Sequence, residues 1–151
     1  MAKEKYSLPF KKIPFARRCT APAHRTTGNP HCIDFYLPPN TPIRAARDGF
    51  VVETEDRYSK SYRSMRFIDR CNYVAIAHDD DEETIYAHLA HHSIKIREGG
   101  EVRRGQIIAE SGQTGYAWYP HLHFGVYKCG VNTKACFDEE LPPKVSYKKY
   151  C

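Results

Sequence analysis

No stretch of this chain approaches the ~18 consecutive apolar residues that a membrane-spanning helix needs, so no span is expected. The opening MAKEKYSLPFKK carries charge but no apolar core of the kind found in secretory leaders. The expectation is therefore a mature or truncated form, or export by another route. No CxxC pair occurs among the 6 cysteines, which argues against a zinc ribbon or a thioredoxin-like motif. No segment sustains a 3.6-residue apolar period, so little helix is expected. Fixed-period repeats and low-complexity tracts are also missing. The net charge of +5 suits an acidic partner (nucleic acid, an anionic membrane or an anionic polymer) or solubility alone. With no recognisable RNA- or DNA-binding motif, charge and a 13% aromatic content do not make a nucleic-acid binder.

The 151 residues, 41% of them hydrophobic, suit one compact domain with its own core. Residues 1–22 read as an extended lead-in with scattered proline and basic residues. Residues 23–151 read as the domain, with a core at 24–127 and a cysteine-containing tail at 128–151. From Cys32 the pattern is that of strands. CIDFYLP ends at a Pro-Pro pair, and PIRAARDGFVVETED reads as two short strands about an Asp-Gly turn. NYVAIAH and TIYAHL read as strands joined by the acidic DDDEE turn. Short strands punctuated by glycine fill 93–115, and HLHFGVYK is the last strong strand. Residues 57–70, RYSKSYRSMRFIDR, form a basic, aromatic insertion without a period. Many short strands with glycine turns predict a mainly β fold, an antiparallel folded sheet or sandwich with little helix. The even number of cysteines is compatible with disulfides, and Cys129 and Cys136, bracketing CGVNTKAC, are the expected pair.

The histidines carry the chemical interest. In a strand, residues i and i+2 share a face, so His121 and His123 project together while Phe124 and Val126 point to the core. Two imidazoles side by side resist double protonation, and a cation beside them resolves the conflict. Asp34, between Ile33 and Phe35, is a carboxylate in an apolar strand. It needs either an arginine or a metal. By alternation Tyr86 and His88 share one face, with Ile85 and Leu89 on the other. His78 reads as a strand end, and His91 and His92 as solvated.

DFYLPPNTPIRAARDGFV, NYVAIAH, TIYAHL, GGEVRRGQIIAESGQTGY and PHLHF, in that order over about residues 24–127, resemble the lysostaphin/LytM-type zinc metallopeptidases. The resemblance implies a largely antiparallel sheet folded over a central groove, one zinc ion, and hydrolysis of peptide bonds in the stems or cross-bridges of bacterial peptidoglycan. Carried across, Asp34 and His123 match metal ligands, and His88 and His121 match catalytic histidines near a zinc-bound water. The first histidine ligand departs from the commonest pattern, because Pro30 stands at its position. His24 is favoured, with His31 as the rival. His31 lies three residues before Asp34 and should face away from it in a strand. Cys32 is a distant third and reads better as a small buried residue. Asn40 replaces a turn glycine and tolerates the same positive φ.

The basic insertion, with Arg57, Lys60, Arg63, Arg66 and Arg70, either flanks the groove and attracts anionic substrate or is a solvated loop. The resemblance further implies a site of action in the periplasm, the cell envelope or outside the cell, and a monomer is expected. The rival functions are a catalytically inactive regulator or wall-binding relative, and a biotinyl-type carrier domain suggested by GGEVRRGQIIAESG. The carrier lacks its MKM-like lysine, and the regulator should lack ligands.

Overall fold

Strands dominate the chain because β-branched and aromatic residues alternate with polar ones between turn formers. The computed structural model describes residues 5–146. In chain order the elements are β1 (Arg17–Cys19), α1 (Pro22–Thr26), β2 (Ile33–Tyr36), β3 (Pro42–Arg44), β4 (Gly49–Glu55) and β5 (Ser61–Tyr62). They continue with β6 (Tyr73–Ala77), β7 (Glu82–Ala87), β8 (Glu101–Val102), β9 (Ile107–Glu110), β10 (Gly115–Tyr116), β11 (Leu122–Lys128) and β12 (Val131–Thr133). Short 3₁₀ turns cover Met65–Phe67 and Asp79–Asp81. The main sheet has 8 strands in the order β1-β2-β11-β7-β6-β4-β8, with β12 paired to β11. All its pairings are antiparallel. Two small sheets flank it, the parallel pair β5–β10 and the antiparallel pair β3–β9. The mainly β, antiparallel fold expected from the sequence is the one observed, and α1 spans only 5 residues.

The alternation of each strand sorts its residues between two faces. Phe35, Val74, Ile76, Tyr86, Leu122, Phe124 and Val126 fill the core on one face. Asp34, Tyr36, Tyr73, Ile85, Ala87 and His123 face a groove on the other. Ring edges meet at Phe10–Phe35 (5.1 Å) and Tyr86–Phe124 (5.3 Å). Each large side chain buried there contributes roughly 1.5–3 kcal/mol. The Tyr86 hydroxyl accepts from the Ala46 N–H at 2.9 Å, so this buried phenol keeps a polar partner.

The lead-in belongs to the same core. Tyr6, Leu8 and Phe10 are buried, and β1 adds to β2. Its first described residues clasp the tail, with the Tyr6 N–H donating to the Cys136 carbonyl (2.8 Å) and the Asp138 N–H to that of Tyr6 (3.1 Å). Residues 1–4 of the lead-in and 147–151 of the tail lie outside the described residues. Asn40 holds φ at 63°, as the turn demands.

The Cys129–Cys136 disulfide expected from spacing does not form; Cys19, Cys32, Cys71, Cys129 and Cys136 are all free thiols. Cys129 (φ 49°) and Gly130 (φ 77°) make the tight turn between β11 and β12. At ~3.3 Å per residue, β12 then carries the chain ~10 Å from that turn, past the ~7 Å Cα reach of a disulfide. Cys136 ends beside Tyr6 instead. Cys151 lies outside the described residues.

Candidate functional site

Three neighbouring strands, β2, β11 and β7, bring the chemistry together at one end of the groove. Asp34 and His123 are direct cross-strand partners in β2–β11, and His123 also sits opposite Ala87 of β7. Their side chains share the groove face because the pleat puts paired residues on one side. His24 arrives from α1, which starts on Pro22 and ends in a tight return. There Gly28 takes φ 80° and the Asn29 N–H donates to the His24 carbonyl at 2.6 Å. The return lays α1 over the start of β2.

Within this corner His24 Nε2 lies 3.1 Å from Asp34 Oδ1, and His123 Nδ1 also lies 3.1 Å from it. One donor atom from each residue falls within 4.8 Å of the others. Donors at ~2.0–2.1 Å from a tetrahedral zinc stand ~3.4 Å apart, so the spacing and the nitrogen–oxygen donor set fit that metal. His24 Nδ1 donates to the Cys32 carbonyl at 3.2 Å, which fixes the ring and leaves Nε2 facing Asp34.

His31 is not part of this group. Its ring is exposed, and only its backbone N–H is engaged, by Asn132 Oδ1 at 2.7 Å. Cys32 is fully buried, with its sulfur 3.5 Å from both the Tyr127 hydroxyl and Asn132 Nδ2.

His88 and His121 stand beside the trio, with ring centroids 4.5 Å apart. The expectation that Tyr86 and His88 share a face is corrected here. Tyr86 lies in the core, whereas His88 lines the groove with Ile85. β7 ends at Ala87, and His88 adopts φ 63°, which breaks the alternation and swings its ring across the sheet. Its Nδ1–H donates to the Thr114 carbonyl at 2.6 Å, so Nε2 keeps a free lone pair. His121 is tethered in the same way, Nδ1 to the Tyr119 carbonyl at 2.8 Å, with Nε2 3.8 Å from Asp34 Oδ1. His78 donates from Nδ1 to the Asp48 carbonyl and pairs through Nε2 with the Thr84 hydroxyl, and His91 donates to the Tyr58 carbonyl, both away from this corner.

The electrostatics separate the roles. Burial alone would raise the Asp34 carboxyl. The charge of His121 and the contacts from His123 and His24 outweigh it and hold the group well below the usual carboxylate range. Burial alone would lower His123, but Asp34, and then Cys32, push the ring up to about 10. His88 has no such partner; burial and the charges of His121 and His123 bring it down to about 3, so it is a neutral base at neutral pH.

The groove holds about 340 Å³. Beyond the histidines and Asp34 it is walled by Tyr36, Ile68, Cys71, Tyr73, Trp118 and Tyr119, none of which strand patterning alone singles out. The exposed Trp118-Tyr119 pair just ahead of HLH was the available signal.

A model of Peptidase family M23 matches residues 29–135, beginning just past His24. Among curated proteins, the glycyl-glycine endopeptidase ALE-1 of Staphylococcus capitis is 35% identical over 97 residues, covering 64% of this chain and 24% of the relative. The peptidoglycan DD-endopeptidase ShyA of Vibrio cholerae is 38% identical over 91 residues, covering 60% of this chain and 18% of its own length. The chain thus spans about a quarter or less of these relatives. Among solved structures, a zinc-containing peptidase from Vibrio cholerae superposes with a TM-score of 0.57 at 30% identity, over 92% of this chain and 36% of that one. With the family match running through β2, β7 and β11 and across most of its length, the chain belongs to peptidase family M23.

Proposed function

We propose that this domain is a zinc-dependent endopeptidase that hydrolyses peptide bonds of bacterial peptidoglycan. The observation that carries the reading is the convergence of His24, Asp34 and His123 on one point, with two tethered imidazoles beside it. A single zinc ion bound there would polarise the scissile carbonyl and lower the pKa of a water. Everything else falls to the chain's own residues. Asp34, kept ionised, supplies the negative charge that a cation site needs. His24 Nε2 and His123 Nδ1, both turned toward Asp34, would give up any proton they carry there on binding the ion. His88, neutral and aimed by Thr114, takes a proton from the attacking water at Nε2. His121, its ring 4.5 Å from that of His88, gives a proton to the departing amine. The groove floor of Ile85 and Ala87 excludes water from beneath the peptide.

The name of ShyA, a peptidoglycan DD-endopeptidase, supports peptidoglycan as the substrate class, and that substrate sets the place of action in the envelope or outside the cell. The test is digestion of purified sacculi of two chemotypes, directly cross-linked and glycine-bridged, with mass spectrometry of the fragments. Cleavage of at least one, abolished by chelation and restored by zinc, is expected. If neither chemotype gives a chelator-sensitive product, the reading is wrong.

A further inference from the structure

The basic insertion is not a free loop. Its strand β5 pairs in parallel with β10, with the Gly115 N–H donating to the Lys60 carbonyl (3.0 Å) and the Ala117 N–H to that of Tyr62 (3.2 Å). Tyr62 stacks on Phe67 at 4.1 Å, and Ser64 Oγ caps the 3₁₀ turn by accepting from the Arg66 N–H at 3.3 Å. Residues 57–70 and 115–119 therefore form one wall of the groove. Ile68, Trp118 and Tyr119 belong to its lining, yet they are 44%, 42% and 47% exposed.

Charge on this wall is one-sided. The insertion holds five cations and a single carboxylate, Asp69. Arg57 is engaged by Glu55 and the Tyr58 hydroxyl. Among the described residues, no ion pair engages Arg63, Arg66 or Arg70. Arg66 and Arg70 lie over Phe67, whereas the Arg63 guanidinium lies 5.1 Å from the centre of the ring of Trp118, a residue that lines the groove. Stacking on an aromatic face orients a guanidinium and leaves its N–H edge open to a planar carboxylate. Ala21, Ala23 and Thr27, around α1, also line the groove and bring no charge of their own.

We propose that Arg63, held over Trp118, is a specificity residue that binds a carboxylate carried by the peptide substrate, so that the groove selects acidic over amidated peptides. This rests on the peptidase reading for its substrate, but the recognition step can be tested without turnover.

Trp118 is the only tryptophan of the chain, so intrinsic fluorescence reports on this wall directly. The purified full chain is titrated with a short uncleavable peptide bearing a free side-branch carboxylate, and with its amidated twin. The acidic peptide is expected to change Trp118 emission and to bind about three- to tenfold more tightly, the range for a charge-assisted contact on a partly exposed rim. Arg63→Ala abolishes the preference; Arg63→Lys, which keeps charge but loses the planar fork, retains part of it. Arg57→Ala leaves it intact, and added salt erodes it. In cleavage assays Arg63→Ala raises KM for acidic substrate and leaves kcat unchanged. Equal affinity for the two peptides, or a preference that survives in a folded Arg63→Ala protein, overturns the proposal. Absence of cleavage with the fluorescence preference intact would overturn the peptidase reading alone.

Discussion

The sharpest test of the site lies at its first histidine. Replacing His24 with alanine removes the ring whose Nε2 lies 3.1 Å from Asp34, and His31→Ala removes an exposed ring that touches none of the trio. Zinc bound by four protein ligands is worth about 10–16 kcal/mol at neutral pH, or ~3 kcal/mol per ligand. His24→Ala should therefore weaken zinc binding by about two orders of magnitude. It should also lower the stability of the metal-free fold by about 1–3 kcal/mol, because the buried Cys32 carbonyl loses the donor at His24 Nδ1. His31→Ala should keep wild-type zinc affinity and change stability by no more than about 0.5 kcal/mol, since Asn132 holds the backbone N–H rather than the ring. Competition with a chromophoric chelator gives the affinities, and thermal melts with and without zinc give the stabilities. Zinc affinity within threefold of wild type in His24→Ala, or its loss in His31→Ala, would refute the placement of the first ligand.

His88→Ala and His121→Ala should each retain zinc and lose about 10²–10⁴-fold in sacculus cleavage, read as zinc content against fragment yield; unimpaired cleavage by either would remove it from the reaction. Gly115→Ala should destabilise the fold by about 1–3 kcal/mol in urea melts, because Gly115 holds φ 80° and a Cβ there would stand 2.5 Å from that of Cys71. An unchanged midpoint would contradict that packing. His78, hydrogen-bonded to the Asp48 carbonyl and Thr84, is held below its ordinary pKa by burial, with Arg47 adding to the shift. The unfolded chain then binds the extra proton first, so its contribution to stability is full above about pH 6.5 and drains as pH falls toward the depressed folded value. The melting temperature of His78→Gln should fall less steeply than wild type between about pH 7.5 and 5, and parallel curves would dismiss the effect.

Where period-two alternation ran through a strand, sequence was a sufficient guide. It put Phe124 and Val126 in the core, His123 on the opposite face, and the acidic turn between β6 and β7. It failed wherever the backbone left the β region. A single left-handed residue moved His88 from the face shared with Tyr86 into the groove. The tight turn at Cys129–Gly130 sent Cys136 away along β12. His24 depended on a return through α1 that no periodicity encodes, and its place near Asp34 was suggested by resemblance to relatives rather than by pattern. Tyr6, Leu8 and Phe10 were hidden for another reason. Three apolar residues scattered among prolines and lysines carry no strand signature, and only distant partners, the tail for Tyr6 and Ile43 and Phe35 for Phe10, make them core.

The pairing of Asp34 with His123 has a consequence for how the molecule comes into being. These residues are 89 positions apart, yet they are cross-strand neighbours, so the centre closes through a long loop. During synthesis His24 and Asp34 emerge while β11 is still unmade, and the half-site they form has no third donor to hold a cation. If the trio holds a metal as proposed, its capture would wait for β11 to insert between β2 and β7, the late, non-local step of a high-contact-order fold. On the proposed reading, a chain that stops short of β11 would be inert, and hydrolytic capacity would be switched on by the same event that completes the sheet.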